Sequence, residues 1–137
     1  MLKIRIIPTL LYKKHELVKG INFNSWRTVG NLIAAVKVYG IREVDELILM
    51  DVGATNQKKK IDLDLVQEVA KECFMPLTFG GGIKNIDDIS KLLKNGADKV
   101  SINTSAINDL NFISEASRIF GSQCIVVSID YKIENKK

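Results

Sequence analysis

Short apolar runs at residues 4–10, 47–50, 76–79, 99–102 and 125–129 divide the chain, and the last four stop at Asp51, Gly80, Asn103 and Asp130. The runs are continuous rather than alternating, as expected of parallel strands covered by helices. Between them the apolar spacing changes to that of a helix. Leu32, Val36 and Tyr39 share one face; Leu63, Val66, Ala70 and Cys73 a second; Ile86, Ile89 and Leu93 a third; Leu110, Ile113, Ser117 and Phe120 a fourth. Asn85 or Asp87 can cap the third helix, with Gly96 after its end; Asp109 suits the start of the fourth, with Gly121 after it.

From the second strand onward each strand-plus-helix unit takes about 20 to 30 residues, the rhythm of βαβ units. The first connection is longer. Residues 11–29 hold Tyr12, His15, Lys19, Phe23 and Trp26 and read as a long first βα loop with a function, because loops of that length in small domains are seldom idle. Five strands and four helices in this order fit either a doubly wound sheet or part of a (β/α)8 barrel. A dinucleotide fold would place GxGxxG after the first strand, and residues 8–13 contain no glycine. Polar residues and glycines gather at strand ends, where a barrel builds its active site. The fold class is therefore α/β, the N-terminal half of a (β/α)8 TIM barrel, with residues 1–137 as one half-barrel domain. Since a whole barrel needs roughly 250 residues, the expectation is a truncated product, a self-associating half-barrel, or a piece completed by another chain. Residues 131–137 read as a charged tail.

Composition narrows the classes. The chain has 137 residues, 46% hydrophobic and 26% charged, with a net charge of +4, ordinary values for a globular domain. No run is long enough for a membrane span, and the N-terminal MLKIRIIPTLL lacks a cleavage site. The basic run Lys58-Lys59-Lys60 has no interleaved aromatics, so it reads as a solvated loop or an anion-attracting rim rather than a nucleic-acid surface. Cys73 and Cys124 have no CxxC or His partner and read as buried reduced thiols, pointing to the cytoplasm. Neither a membrane nor a nucleic-acid partner is expected, and no cofactor or metal.

The main local signal for chemistry is TFGGGIKNIDD, residues 78–88. Three glycines between a strand and a helix start let backbone N–H groups approach an anion. SINT, residues 101–104, repeats the arrangement with Asn103 and Thr104 as side-chain donors. Alone, GGG is equally a tight turn; with SINT it reads as a phosphate cradle involving Gly81, Gly82, Asn103 and Thr104.

These stretches, with RIIP (5–8), LVKG (17–20), DEL (45–47), PLTFGGGIK (76–84), GADKVSINT (96–104) and FGSQCIVVSID (120–130), resemble the cyclase subunit of imidazole glycerol phosphate synthase. They fall in register with the first half of that family's barrel. The resemblance implies a partner glutaminase subunit of the amidotransferase type that sends ammonia through the barrel. Arg5, Glu46 and Lys99 match members of the charged gate at the barrel base; without the family, they would read as a stabilising ion-pair network. Asp98 resembles a subunit-interface position. Gly82, Asn103 and Thr104 match the binding site for one phosphate of a phosphorylated small-molecule substrate, Lys19 a lid lysine, Asp51 a supporting carboxylate, and Asp130 one of two catalytic aspartates.

The second catalytic aspartate should follow IIPxL, where this chain has Leu11. A hydrocarbon neither gives nor takes a proton, and loss of a positioned acid/base group costs on the order of 10² to 10⁴ in rate. Family cyclases usually continue with an Asp-Val-Lys type stretch; here Leu-Tyr-Lys-Lys-His follows, and His15 reads as a lid or surface residue rather than a replacement base. LL after IIP and ECFMP at 72–76 are similar to a paralogous group of cyclase-like proteins found with bacterial surface-polysaccharide genes. That group implies a barrel that relays ammonia from a glutaminase to a sugar amidotransferase, which forms an acetamidino group. The alternatives are a cyclase subunit in histidine biosynthesis, with Asp130 acting alone or helped by Asp51, and a non-catalytic half-barrel for binding or assembly.

Overall fold

The computed structural model describes residues 3–54 and 60–131. Lys58 and Lys59 of the basic run and residues 132–137 of the charged tail lie outside the described residues. In chain order the elements are β1 (Thr9–Lys13), β2 (Glu16–Ile21), β3 (Asn24–Asn31), α1 (Leu32–Ile41), β4 (Leu47–Asp51), α2 (Leu63–Glu72), β5 (Leu77–Gly80) and α3 (Ile86–Lys94), then β6 (Lys99–Ile102), α4 (Thr104–Asn108), α5 (Leu110–Phe120) and β7 (Ile125–Val127). They form one sheet in the order β3-β2-β1-β4-β5-β6-β7. β1, β4, β5, β6 and β7 run parallel, and β2 and β3 are antiparallel additions at the β1 edge.

Side-chain alternation separates two faces of the parallel part. Leu10, Tyr12, Leu47, Leu49, Leu77, Phe79, Val100 and Ile102 pack with Leu32, Val36, Leu65, Val66, Val69, Ile89, Leu92, Phe112 and Ala116 of the helices. Burying a side chain of this size contributes roughly 1.5–3 kcal/mol each. The opposite face carries two rows in register. Thr9, Ile48, Thr78 and Lys99 make the lower row; Leu11, Met50, Gly80, Ser101 and Val126 make the upper. This helix-free face is the one that would line the inside of a barrel.

Each longer helix starts from an Asn or Asp whose side chain accepts a backbone N–H of the first turn: Asn31 from Ala34, Asp62 from Leu65, Asn85 from Asp88 and Asp109 from Asn111. Such caps contribute typically about 1 kcal/mol each. They also fix where each chain segment leaves the strand ends, and so shape the upper loops.

Several expected boundaries move. The first strand lies at Thr9–Lys13 rather than 4–10, because Pro8 has no N–H for the ladder. Ile4 and Ile6 are exposed, and the buried residues of this strand are Leu10 and Tyr12. Residues 11–29 are not a loop: they complete β1 and supply β2 and most of β3, which occupy part of an edge that β1 would otherwise leave unpaired. The second helix buries Leu65, Val66 and Val69 rather than a face led by Leu63. The fourth expected helix is α5, capped by Asp109 and followed by Gly121 as expected, with the short α4 added before it; the buried residues of α5 are Phe112 and Ala116, while Leu110 is exposed. The fifth strand stops at Val127, with a ladder partner on one side only. Cys73 and Cys124 are free thiols but only partly buried; burial raises the Cys73 thiol above its usual range.

Candidate functional site

The lower end of the parallel strands carries a closed polar cluster. Glu46 immediately precedes β4 and Lys99 begins β6; these are alternate strands, whose inward residues share a layer in barrels. Glu46 is 7% exposed. One of its carboxylate oxygens meets Arg5 Nη1 at 2.5 Å and the other meets Lys99 Nζ at 2.6 Å. Arg5 comes from the segment ahead of β1, four residues before the strand itself. Residues 41 and 53 positions from Glu46 therefore converge on one carboxylate.

Two further aspartates brace this end in the same manner. Asp45 N–H donates to the Ile6 carbonyl while its side chain accepts the Ile6 N–H at 2.7 Å. Asp98 N–H donates to the Leu77 carbonyl while its side chain accepts the Leu77 N–H at 2.8 Å. Each aspartate clasps the neighbouring strand's entry, and each is followed by a member of the charged cluster. The recurring Asp–charged–apolar pattern, Asp45-Glu46-Leu47 and Asp98-Lys99-Val100, is the sequence signal that could have revealed the pair.

At the upper end the glycine loop is tightly built. Gly81 has φ +108°, and a Cβ there would stand 2.5 Å from the Asp51 carbonyl oxygen; Gly82 has φ +71°, and its Cβ would stand 2.8 Å from that of Ala54. Such backbone is open to glycine and strained for other residues. Ser105, not picked out from sequence, donates its hydroxyl to the Ile83 carbonyl and so ties the glycine loop to the Asn103–Thr104 loop. Gly81, Gly82, Asn103 and Thr104 thus border neighbouring strand ends. Thr104 is exposed. The Asn103 side-chain amide donates to Asp130 Oδ2 at 2.7 Å, so that donor holds a carboxylate in this structure.

Leu11 lies in the upper row beside Met50 and is partly buried. Asp51 pairs in register with Tyr12, one position further along. It borders a pocket of about 140 Å³ with Tyr12, Leu65 and His15 on the helix side of the sheet. Its Oδ1 accepts the Gly53 N–H at 2.8 Å. Burial, then the nearby carboxylates of Asp51 and Asp62, push the Tyr12 phenol above its ordinary range. It stays a neutral hydroxyl.

The hairpin is pinned at its base, where His15 Nε2 lies 2.7 Å from Asp62 Oδ2 at the start of α2. Lys19 is exposed on β2 and pairs in register with Arg27 of β3. The arrangement gathers Arg5, Glu46 and Lys99 at one end and joins Asn103 to Asp130 at the other. It puts Lys19 on the hairpin.

A parallel sheet with helices on one face, glycine and polar loops beyond its strand ends, and a charged cluster below them is the architecture of a partial (β/α) barrel. The chain belongs to the histidine biosynthesis protein family, whose model matches residues 5–136. It is 54% identical over 132 residues to a Campylobacter jejuni protein named "Putative imidazole glycerol phosphate synthase subunit hisF2". The match covers 96% of this chain and 53% of that protein, so the chain spans about half the length of the curated relative it matches. Among the described residues no helix is long and apolar enough to cross a membrane.

Proposed function

We propose that this chain is the first half of a cyclase-like barrel that relays ammonia from a glutaminase subunit to an amidotransferase, which builds an acetamidino group on a bacterial surface sugar. The observation that carries the reading is Leu11: an apolar side chain occupies the upper row where ring closure would need a proton-transferring carboxylate. Below it, the Arg5–Glu46–Lys99 cluster supplies the opposed charges of a gate. Thr78, in the row of Lys99, and Ser101, in the row above it, are 2% and 5% exposed and offer hydroxyls where a small polar molecule needs hydrogen-bonding partners. Ile4, Ile41 and Phe74 are 93%, 82% and 92% exposed at the lower end, and with Asp98 they suit a glutaminase docking surface. This work belongs in the cytoplasm, where glutamine and activated sugars are available.

A second reading, the ring-closing subunit of histidine biosynthesis, draws on the Asn103–Asp130 hydrogen bond, which keeps one acid/base carboxylate oriented beside the cradle. Ring closure separates the two. The purified 137-residue chain, given ammonium salt and the ribonucleotide substrate, should show no measurable cyclase turnover, and the gene should fail to rescue a histidine auxotroph. With a partner glutaminase and a sugar acceptor present, ¹⁵N from the glutamine amide should appear in the sugar. Clear turnover with Leu11 intact overturns the relay reading.

A further inference from the structure

On the helix side of the sheet, the pocket of about 140 Å³ that Asp51 borders has a floor and a mouth of different character. The floor is buried: Tyr12 is 6% exposed and Leu65 2%. The Tyr12 hydroxyl has no hydrogen-bond partner among the described residues, and none of their side-chain polar atoms is both sealed from solvent and unpaired. The hydroxyl therefore opens into the pocket that Tyr12 lines. Beside it, Asp51 gives one carboxylate oxygen to the Gly53 N–H and leaves the other uncommitted among the described residues. After burial itself, Asp51 and Asp62 raise the Tyr12 phenol above its ordinary range, so the field at the hydroxyl is negative. The mouth carries the opposite sign. Lys14 and Lys60 are exposed, line the same pocket and have no ion pair among the described residues, whereas His15 is already held by Asp62.

We propose that this pocket binds a small α-amino acid, with its ammonium group against Tyr12 and Asp51 and its carboxylate toward Lys14 and Lys60. An ammonium group carries three N–H donors, and the phenol oxygen and the second Asp51 oxygen are acceptors waiting for two of them. A bare cation would meet repulsion from the lysines at the mouth, and a bare anion repulsion from the carboxylates at the floor. A zwitterion satisfies both. Size sets a further limit. A cavity of about 150 Å³ accepts benzene, so this one suits about five to seven non-hydrogen atoms, the range from glycine to serine. Lys14 lies in the turn between β1 and β2, and Lys60 lies ahead of α2, so the occupant would also join the hairpin to the helix layer. The inference stands independently of the ammonia relay and of the anion cradle.

Amide ¹H–¹⁵N spectra of the whole 137-residue chain, titrated separately with glycine, methylammonium chloride and sodium acetate at neutral pH and constant ionic strength, test the site. Glycine should shift the amides of Tyr12, Gly53 and Leu65 and bind about fivefold more tightly than methylammonium, as two exposed ion pairs allow. Acetate should leave all three amides unmoved. Tyr12→Phe removes only the hydroxyl and should weaken glycine about fivefold, the expected effect of one lost hydrogen bond. Its spectral dispersion reports whether it folds; should it not, the ligand series and the next variant still decide. K14Q/K60Q changes two exposed side chains and should bring glycine down to the methylammonium affinity. Acetate that binds as well as glycine, a glycine affinity unchanged in folded Tyr12→Phe, or a glycine preference that survives K14Q/K60Q overturns the proposal. Silence at all three amides overturns it as well and makes the pocket a site for water alone.

Discussion

The two ends of the parallel sheet are built on opposite principles. The lower end is closed: one carboxylate, 7% exposed, accepts from two cations, and two aspartates clasp neighbouring strand entries. The upper end is open, with strained glycines, an exposed Thr104 and a leucine in the row where family cyclases place an acid. On the proposed reading, the lower cluster keeps the opposed charges of a gate, while Leu11 replaces one carboxylate that would move protons on a substrate. That difference favours conduction over ring closure.

The largest test of the contrast is Glu46→Ala. It leaves Lys99 and Arg5 without their shared partner. Breaking a buried pair costs about 3–5 kcal/mol, but Arg5 is 64% exposed and solvent screens its share. The expected loss is about 2–3 kcal/mol by urea denaturation. Glu46→Gln, which keeps an acceptor oxygen, should lose roughly half as much. Equal losses would mean that the net charge, not the hydrogen bonding, holds this end together.

At the upper end Gly81→Ala is the corresponding break. Its Cβ would meet backbone rather than a movable side chain, and the positive φ adds strain, so about 2 kcal/mol should be lost. Any anion affinity at Thr104 should fall with it. Unchanged stability would show that this loop relaxes freely, and the upper end would then be soft as well as open.

A smaller effect lies on the helix side of the upper end, at Tyr12. Its folded pKa is raised above the ordinary value of 10.0, so the phenol's contribution is fully present below pH 10. Above that the unfolded chain releases its proton while the folded chain retains it. Stability should therefore fall with rising pH, by up to about 1.4 kcal/mol per pH unit from this one group. Denaturation series on the wild type and Tyr12→Phe isolate the term: the variant should lose that part of the slope above pH 10. Parallel profiles would remove Tyr12 as its source.

Sequence disclosed these regions unevenly. β4, β5 and β6 were legible because each is a compact apolar run stopped by Asp, Gly or Asn. β1 was displaced because the apolar 4–7 stretch outweighed Pro8, whose missing N–H ends the ladder. The hairpin was missed for a different reason. Lys-Gly-Ile-Asn-Phe-Asn-Ser-Trp has no clean alternation, and its pairing depends on the β1 edge, a tertiary fact. Convergence of Arg5, Glu46 and Lys99 was suggested only by family resemblance, since no local spacing joins residues so far apart. The Asn103–Asp130 contact likewise joins two strand ends. The altered residue after the first apolar run was plain: Leu11 stands out once Asp51, Gly80, Asn103 and Asp130 follow the other four runs.

The smallest effect separates two roles that meet in Asp98. As a clasp its side chain accepts the Leu77 N–H at 2.8 Å; as an interface residue it would offer charge to a partner. Asp98→Asn preserves an acceptor oxygen and removes the charge, whereas Asp98→Ala removes both. If the clasp accounts for its stability contribution, Asn should cost little and Ala about 1 kcal/mol, matching Asp45→Ala at the equivalent place on the other clasp. If the charge also serves docking, both Asp98 variants should weaken glutaminase binding while Asp45→Asn does not. Calorimetric titration against the proposed glutaminase partner, run beside thermal melts of the same variants, reads the two roles independently. Asp98→Asn with wild-type binding would assign this residue to the scaffold alone and leave docking to the apolar rim of Ile4, Ile41 and Phe74.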